Sequence, residues 1–282
     1  MKAKIRLYYK LFQILILFIN GLFLAAGVFP VLGFIYSARA ANLKKDAIKA
    51  RWLQRFSAIV NLHISKEGEL PERRAILVSN HISWLDIIVI GQYLPACFVA
   101  KSDILSWPVI GYLAKQGGTI FIRRGDKQHI RSTAEKMAWL LKQNSNIIAF
   151  PEGTTTKGDE VLNFHSSLFQ PALLTRSAIQ PVALQYQGSA KQHAPFVGDD
   201  GFVPHLIKML TLDKIEVRLS FLPIINSSGK SRHAVSIETR DLIWEKISES
   251  SSADNSDREG FEVIQGSIFL KKSVGTSEIR SC

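Results

Sequence analysis

Short apolar runs alternate with longer amphipathic segments along most of the chain. The apolar runs, rich in Ile, Val and Phe, predict strands at Ala75–Ser79, Cys97–Ala100, Thr119–Ile122, Ile147–Phe150, Pro181–Tyr186 and Ile215–Phe221. The amphipathic segments predict helices at Trp84–Tyr93, Lys127–Gln143, Ser166–Arg176 and His233–Ile247. This alternation indicates an α/β fold, in which helices flank a mixed central sheet.

The segment nearest the N-terminus departs from this pattern. Residues Leu11–Ala38 contain no charged side chain, and as a helix they would extend roughly 40 Å, beyond the roughly 30 Å of hydrocarbon in a bilayer. We therefore expect residues 1–38 to be a membrane anchor rather than a cleaved secretory signal, whose apolar region would be shorter. Gly27, Pro30 and Gly33 permit a bend, so the anchor is either a membrane helix or a re-entrant hairpin.

The formal charge of +11 would by itself suggest a nucleic-acid-binding protein. A net +9 of it lies in residues 1–10 and 39–55, which flank the apolar segment, and the body of the chain is nearly neutral. We therefore expect a membrane partner and no nucleic acid. The basic residues 39–55 would meet an anionic leaflet, where each cation contributes about 1 kcal/mol. A solvated basic helix leading into the domain is the alternative.

The domain organisation follows from these changes in composition. We expect an anchor over 1–38, a catalytic domain over 39–247, and a disordered tail over 248–282, because the residues after 247 are too polar to form a packed core. Only two cysteines, Cys97 and Cys282, are present, which excludes a disulfide framework and a cysteine zinc cluster. This cysteine content favours a protein that lies in a reducing environment and faces the cytosol.

The first candidate for chemistry is the segment Asn80–Asp86, which follows a predicted strand. Ligands of α/β sheets collect at the carboxyl ends of strands. If His81 lies just outside the following helix, its imidazole can accept a proton while Asp86 holds the other ring nitrogen. Alternatively, Ser83 and Asp86 form a capping box and His81 is an incidental loop residue. Two ligands are too few for a metal site, and we expect none.

A second candidate, Phe150–Gly158, follows another predicted strand. The hydroxyls and amides of Gly153–Thr156 are donors that suit a phosphate or an oxyanion. Glu152 is the unusual member, because a carboxylate repels a phosphate unless it binds a hydroxyl or orients an arginine. An ordinary surface turn is the alternative interpretation.

The third candidate is the end of the strand Gly118–Ile122, where Arg123 and Arg124 follow each other. A guanidinium at a strand end can clamp a phosphate through bidentate hydrogen bonds. Salt bridges from these arginines to Asp126 or Glu135 are the alternative.

Together, these motifs resemble the 1-acylglycerol-3-phosphate acyltransferase family, also called the lysophospholipid acyltransferases. The resemblance covers roughly residues 75–186. It consists of Asn-His-x-Ser-x-x-Asp at Asn80–Asp86, Gly-x-Ile-Phe-Ile-x-Arg at Gly118–Arg124, Phe-Pro-Glu-Gly-Thr at Phe150–Thr154, and Gln-Pro-Val at Gln180–Val182.

The resemblance implies an enzyme of the inner (plasma) membrane with its catalytic domain facing the cytoplasm. It would move an acyl chain from a thioester, acyl-ACP or acyl-CoA, to the free hydroxyl of lysophosphatidate, giving phosphatidate, with no cofactor and no acyl-enzyme. His81 would be the general base and Asp86 its orienting partner, and Ser83 would not be a nucleophile. The residues implied for the head group are Arg124, Glu152, Gly153 and Thr154, with Arg123 as a compensating cation.

Two departures from the family pattern leave the head group open. Thr155 stands where many members carry an arginine, and residues 164–167 lack a lysine and a glycine that many members have. Loss of one cation would weaken a phosphate site by about 1.5 to 3 kcal/mol. Lyso-ornithine lipid, an acceptor without phosphate, is therefore the alternative substrate.

Two other classes of function remain as alternatives to an acyltransferase. One is a hydrolase, in which His81 activates water or Ser83, and the other is a non-catalytic lipid-binding protein.

Overall fold

The computed structural model describes residues 2–72, 74–123 and 125–250. The chain divides into two compact units, residues 1–244 and 245–282. In the second unit the described residues, 245–250, are helical. The predicted disordered tail therefore has helical residues at 248–250, and its remainder, 251–282, lies outside the described residues.

Helices surround one central sheet in the first unit. The helices are α1 (Lys2–Phe23), α2 (Phe29–Ile35), α3 (Ala38–Val60), α4 (Leu85–Gly91), α5 (Ile110–Gln116), α6 (Lys127–Lys142), α7 (Gln170–Thr175), α8 (Ala190–His193) and α9 (Phe202–Thr211), followed by a helical stretch at 232–244. The strands are β1 (Leu62–Glu67), β2 (Ala75–Ser79), β3 (Ala96–Lys101), β4 (Ile120–Ile122), β5 (Asn146–Ala149), β6 (Ala178–Gln187) and β7 (Ile215–Phe221).

The sheet is mixed, as predicted. Its strand order is β1-β7-β6-β2-β5-β3-β4, and every neighbouring pair is parallel except β6 and β7, which are antiparallel. All five residues of β2 are buried, because helices cover both faces of a parallel sheet. This burial on both faces explains why the central strands read as unbroken apolar runs in the sequence.

Parallel pairing brings the predicted motifs to one edge of the sheet. Val78 near the end of β2 aligns with Ala149 at the end of β5, and Lys101 of β3 aligns with Ile122 of β4. The loops that leave these strands therefore emerge at a shared carboxyl edge, where α/β proteins usually bind ligands.

The N-terminal segment forms a helical hairpin with α3. Residues Lys2–Ile35 are, among the described residues, the one helix that is long and apolar enough to cross a membrane. It continues through Gly27 as a π-helical turn and into α2, where Pro30 occupies the first turn and needs no amide hydrogen bond. The chain reverses only at Tyr36 and Ser37, so the bend lies beyond the glycine and proline residues that permitted it in the sequence.

Specific contacts hold this hairpin together and attach it to the domain. The Trp52 indole of α3 donates a 2.9 Å hydrogen bond to the carbonyl of Leu17 in α1. In the first half of α1, Lys10 Nζ donates to the carbonyls of Leu210 and Leu212 at the end of α9, each at 3.3 Å. Many apolar side chains of α1 and α2 nevertheless remain exposed, among them Ile5, Tyr8, Phe12, Leu15, Ile19, Phe23, Val31 and Phe34.

Candidate active site

A hydrogen-bonded pair, His81 and Asp86, lies at the carboxyl edge of the sheet. His81 is in the loop after β2, and Asp86 is in the first turn of α4. His81 Nδ1 lies 2.7 Å from Asp86 Oδ2. The loop conformation of His81 makes this contact possible at a spacing of five residues, which would place the two side chains on different faces of a continuous helix. The imidazole stacks on Phe150, with ring centroids 4.1 Å apart.

Four donors surround the buried carboxylate of Asp86. Its Oδ2 accepts the amides of Ile82 at 2.7 Å and Ser83 at 2.9 Å in addition to His81, and its Oδ1 accepts the hydroxyl of Tyr186 at 2.8 Å. The bond from the Ser83 amide is the reciprocal half of a capping box. The capping interpretation and the catalytic interpretation of Asp86 are therefore both compatible with this geometry.

Tyr186 is a member of this network that the sequence motifs did not identify. Its side chain is buried at the end of β6, and its hydroxyl donates to Asp86. Burial, and to a lesser extent the Asp86 carboxylate, raise the pKa of Tyr186 well above its ordinary value. Tyr186 consequently remains a proton donor to Asp86 at physiological pH.

The carboxylate of Glu152 supports the loop after β2 that holds His81. Its Oε1 accepts the backbone amide of His81 at 2.7 Å, and its Oε2 accepts the amide of Leu162 at 2.9 Å. The residue is 5% exposed. Burial raises the pKa of the Glu152 carboxyl above its ordinary value, although the two backbone hydrogen bonds oppose this shift. Each carboxylate oxygen of Glu152 thus accepts a hydrogen bond from a main-chain amide.

The turn after β5 lies beside His81. The amide of Thr156 donates to the His81 carbonyl at 2.8 Å, and Gly153 adopts a positive φ of 73°, which favours glycine. The hydroxyl of Thr155 donates to the carbonyl of Phe196. Thr154 is exposed.

The arginine candidates lie after β4. The exposed Arg123 directly follows this strand, and its amide donates to His129 Nδ1 at 3.1 Å. The two acidic residues considered as its partners bind elsewhere: Asp126 caps α6 through the His129 amide, and Glu135 pairs with Arg131. Arg124 lies outside the described residues.

A cavity of about 820 Å³ contacts both His81 and the N-terminal hairpin. Its volume is within the range of ligand sites, roughly 300 to 1,000 Å³. Gly153, Thr154 and Thr155 line it together with His81, and most of the remaining wall is apolar. The apolar lining residues include Phe18, Gly21, Phe29, Trp52, Phe56, Trp84, Phe150, Phe196 and Phe202. Such a cavity can hold an alkyl chain beside His81.

In the part of the chain that the structure describes, no three His, Cys, Asp or Glu side chains come together in a way that could hold a metal ion. The His81 imidazole and the Asp86 carboxylate instead bind one another.

Comparison with known proteins identifies the family. An acyltransferase family model matches residues 61–185. The chain is 38% identical over 183 residues to a lyso-ornithine lipid O-acyltransferase of Pseudomonas aeruginosa, covering 64% of this chain and 70% of the relative. It is 28% identical over 191 residues to a 1-acyl-sn-glycerol-3-phosphate acyltransferase of Neisseria meningitidis, covering 67% of this chain and 73% of the relative.

The fold has a counterpart among solved structures. The crystal structure of the 1-acyl-sn-glycerophosphate acyltransferase PlsC from Thermotoga maritima matches with a TM-score of 0.65 and 20% identity, over 87% of this chain and 98% of that chain. With the motifs, the mixed sheet and the apolar N-terminal helix, these similarities lead to one assignment. The chain belongs to the lysophospholipid acyltransferase family and is an acyltransferase of the 1-acylglycerol-3-phosphate O-acyltransferase type.

Proposed function

We propose that this enzyme transfers a fatty acyl chain from a thioester directly to the free hydroxyl of a lyso-ornithine lipid, with His81 as general base. The observation that carries the proposal is the His81–Asp86 pair in the wall of a large apolar cavity. In the part of the chain that the structure describes, His81 Nε2 makes no hydrogen bond, so it is available to a substrate hydroxyl. His81 is also 20% exposed.

The reaction then needs one histidine and no covalent intermediate. The hydroxyl proton of the acceptor moves to His81 Nε2 while the hydroxyl oxygen attacks the thioester carbonyl carbon. Asp86 stabilises the imidazolium that forms. When the C–S bond of the tetrahedral adduct breaks, His81 returns the proton to the leaving thiolate. Ester and free thiol are the products.

The environment of Ser83 supports direct transfer over an acyl-enzyme. Ser83 is fully buried, and its amide is bound to Asp86. A serine nucleophile must be exposed to the substrate and hydrogen-bonded to its base. The only histidine of this loop, His81, directs Nδ1 to Asp86 instead.

Several features favour an acceptor without phosphate. The lyso-ornithine relative is the more similar of the two enzymes compared, at 38% against 28% identity. Thr155 replaces a cation that many family members carry, and its hydroxyl is bound to a main-chain carbonyl. Beyond this turn, His165 and Ser167 contribute an imidazole and a hydroxyl to the cavity wall. Hydroxyl and imidazole donors suit the carboxylate of an ornithine head group.

Lysophosphatidate is the second candidate acceptor, and specific residues favour it. Arg123 is exposed at the end of β4, and Lys101 at the end of the neighbouring β3 lines the cavity. Two cations at adjacent strand ends suit a phosphate. Acyl-ACP and acyl-CoA are both proposed as donors, because each supplies the same thioester.

For the membrane, we propose a re-entrant hairpin in the cytoplasmic leaflet of the inner membrane. Lys10 binds the first half of α1 to α9, and Phe18, Gly21 and Phe29 further along the hairpin line the cavity. A helix held against the domain at these points keeps both basic flanks on one side of the bilayer. The exposed apolar side chains of α1 and α2 would enter the leaflet.

The test is an acyl-transfer assay with a labelled acyl-CoA, a labelled acyl-ACP and both acceptors. We expect the detergent-solubilised wild type to acylate lyso-ornithine lipid, and His81→Ala to lose this activity. His233→Ala, a change at an exposed histidine, is the control. Acylation of lysophosphatidate alone would establish the second acceptor. Release of free fatty acid would indicate the hydrolase, and absence of any histidine-dependent turnover would leave only lipid binding.

A further inference from the structure

A second histidine, His205, forms two hydrogen bonds next to the active site. It lies on α9 and is 5% exposed. The indole Nε1 of Trp84 donates to its Nδ1 at 3.0 Å. Its Nε2 lies 3.2 Å from the carbonyl of Pro195. Because one ring nitrogen must accept and the other must donate, only the neutral imidazole protonated at Nε2 satisfies both bonds. Burial lowers the pKa of His205, which favours this neutral form.

Trp84, which donates the hydrogen bond to His205, faces the cavity. It follows His81 by three residues and lines the cavity. Its indole packs edge-on against Phe56 at 5.8 Å and against Phe202 at 5.0 Å between ring centroids. A tryptophan ring held by a directed hydrogen bond and two aromatic contacts presents a rigid wall rather than a mobile one.

The segment that supplies the Pro195 carbonyl is hydrogen-bonded, through Phe196, to the loop after β2 that holds His81 and to the turn after β5. The amide of Phe196 donates to the Ile82 carbonyl at 2.9 Å in the histidine loop. The carbonyl of Phe196 accepts the hydroxyl of Thr155 in the turn after β5. The Phe196 ring lines the cavity and contacts His205 edge-on at 5.2 Å. His205 therefore connects one aromatic wall residue, Trp84, to the segment that carries another, Phe196.

We propose that His205 is a positioning residue which, through Trp84, sets the shape of the aromatic wall and thereby determines which fatty acyl chains the enzyme accepts. The proposal rests on the proposed function, in which the cavity holds an acyl chain. The chain concerned belongs either to the thioester donor or to the acceptor, since both are alkyl chains. His205 itself touches neither the reacting atoms nor, among the described lining residues, the cavity.

The first experiment compares His205→Phe with His205→Asn. Phenylalanine removes the acceptor for the indole, whereas the amide oxygen of asparagine can replace Nδ1. Rates are measured with acyl-CoA donors of different chain length at a fixed acceptor, and then with acceptors of different chain length at a fixed donor. For His205→Phe we expect the ratio of kcat/KM between long and short chains to change at least about fivefold in one of the two series. His205→Asn should keep the wild-type ratio. His233→Phe is the matched control.

A double-variant comparison tests whether the effect passes through Trp84. Trp84→Phe should change the chain-length ratio in the same series, and adding His205→Phe to it should cause no further change. If Trp84→Phe keeps the wild-type ratio, or if the two substitutions act additively, His205 does not act through this wall. A uniform loss of kcat for all chains in His205→Phe would likewise overturn the proposal.

A third measurement does not depend on turnover. In ¹⁵N-tryptophan-labelled protein, the indole resonance missing from Trp84→Phe identifies Trp84. We expect this resonance to shift in His205→Phe and to remain near its wild-type position in His205→Asn. An unshifted resonance in His205→Phe would show that the hydrogen bond does not exist. Failure of the wild type to acylate any acceptor would overturn the proposed function and, with it, the role in chain selection, whereas the resonance tests the hydrogen bond alone.

Discussion

The hydroxyl of Tyr186 donates a 2.8 Å hydrogen bond to Asp86 Oδ1, joining the end of β6 to the first turn of α4 across 100 positions of sequence. Asp86 is fully buried. A buried carboxylate requires several donors, and Tyr186 is the one side-chain donor to Asp86 besides His81 that the described residues provide. The tyrosine thereby fixes the partner of the proposed general base.

Replacement of Tyr186 by Phe tests this link. The change leaves Asp86 Oδ1 without a donor, which should lower the free energy of unfolding by about 1 to 3 kcal/mol. The carboxylate then interacts more strongly with His81, so we expect the acid limb of the pH profile of kcat/KM to move to higher pH. Titration of the initial rate measures this shift. A variant that loses stability but keeps the wild-type pH profile would contradict the role of Tyr186 in the pair.

Replacement of Glu152 distinguishes a role in supporting the His81 loop from a role in binding the head group. As a support for the His81 loop, it should affect kcat and leave the KM of the acceptor nearly unchanged. Glu152→Gln presents an amide group to one of two main-chain donors, so we expect kcat to fall by roughly tenfold, which corresponds to about 1.4 kcal/mol. Steady-state kinetics with varied acceptor provides the measurement. A large rise in KM at constant kcat would instead indicate that Glu152 contacts the head group.

The stability of the protein should depend on pH through His205. Burial lowers the pKa of His205 below its ordinary value of 6.5, the Pro195 carbonyl and Asp200 oppose the shift, and Lys208 adds to it. The unfolded chain then binds the proton more readily, so the folded state loses stability as the pH falls below 6.5. We expect the thermal midpoint of the wild type to fall more than that of His205→Asn between about pH 7.5 and about pH 5.5. Parallel curves for the two proteins would be inconsistent with a buried neutral histidine.

The hairpin model predicts that both basic flanks are on the cytoplasmic side. After Cys97 and Cys282 are replaced by serine, Lys2→Cys and Arg39→Cys can be labelled separately with a maleimide that does not cross membranes. Both positions are exposed. We expect labelling in inverted membrane vesicles and none in intact spheroplasts. If Lys2→Cys reacts only in spheroplasts, the helix spans the bilayer.

Local pattern predicted six of the seven strands described and missed β1, at one edge of the sheet. The strand predicted at Ile215–Phe221 has the same bounds in the structure, because an apolar run buried on both faces is visible in the sequence. β1 was missed because Leu62–Glu67 is an edge strand, in which only Leu62 and Ile64 are apolar and the other four residues are exposed. Its side chains do not give the signal of a core strand.

The candidate site was predictable where its residues are close in sequence. His81 and Asp86 belong to one loop and one helix turn, so their spacing alone suggests a contact. Tyr186 and His205 reach this loop from other elements, and nothing local to either residue indicates its partner. The role of Glu152 depends on the amides of His81 and Leu162, which only the folded chain brings together.

The most direct test of the central claim is the rate of acyl transfer by His81→Ala and Asp86→Asn with a labelled thioester and a lysolipid. We expect His81→Ala to lower kcat by roughly 10² to 10⁴ while the thermal midpoint stays close to that of the wild type. No labelled acyl group should remain on either folded variant or on the wild type after denaturation. Wild-type turnover by His81→Ala, or a stable acyl-enzyme, would contradict direct transfer by a histidine base.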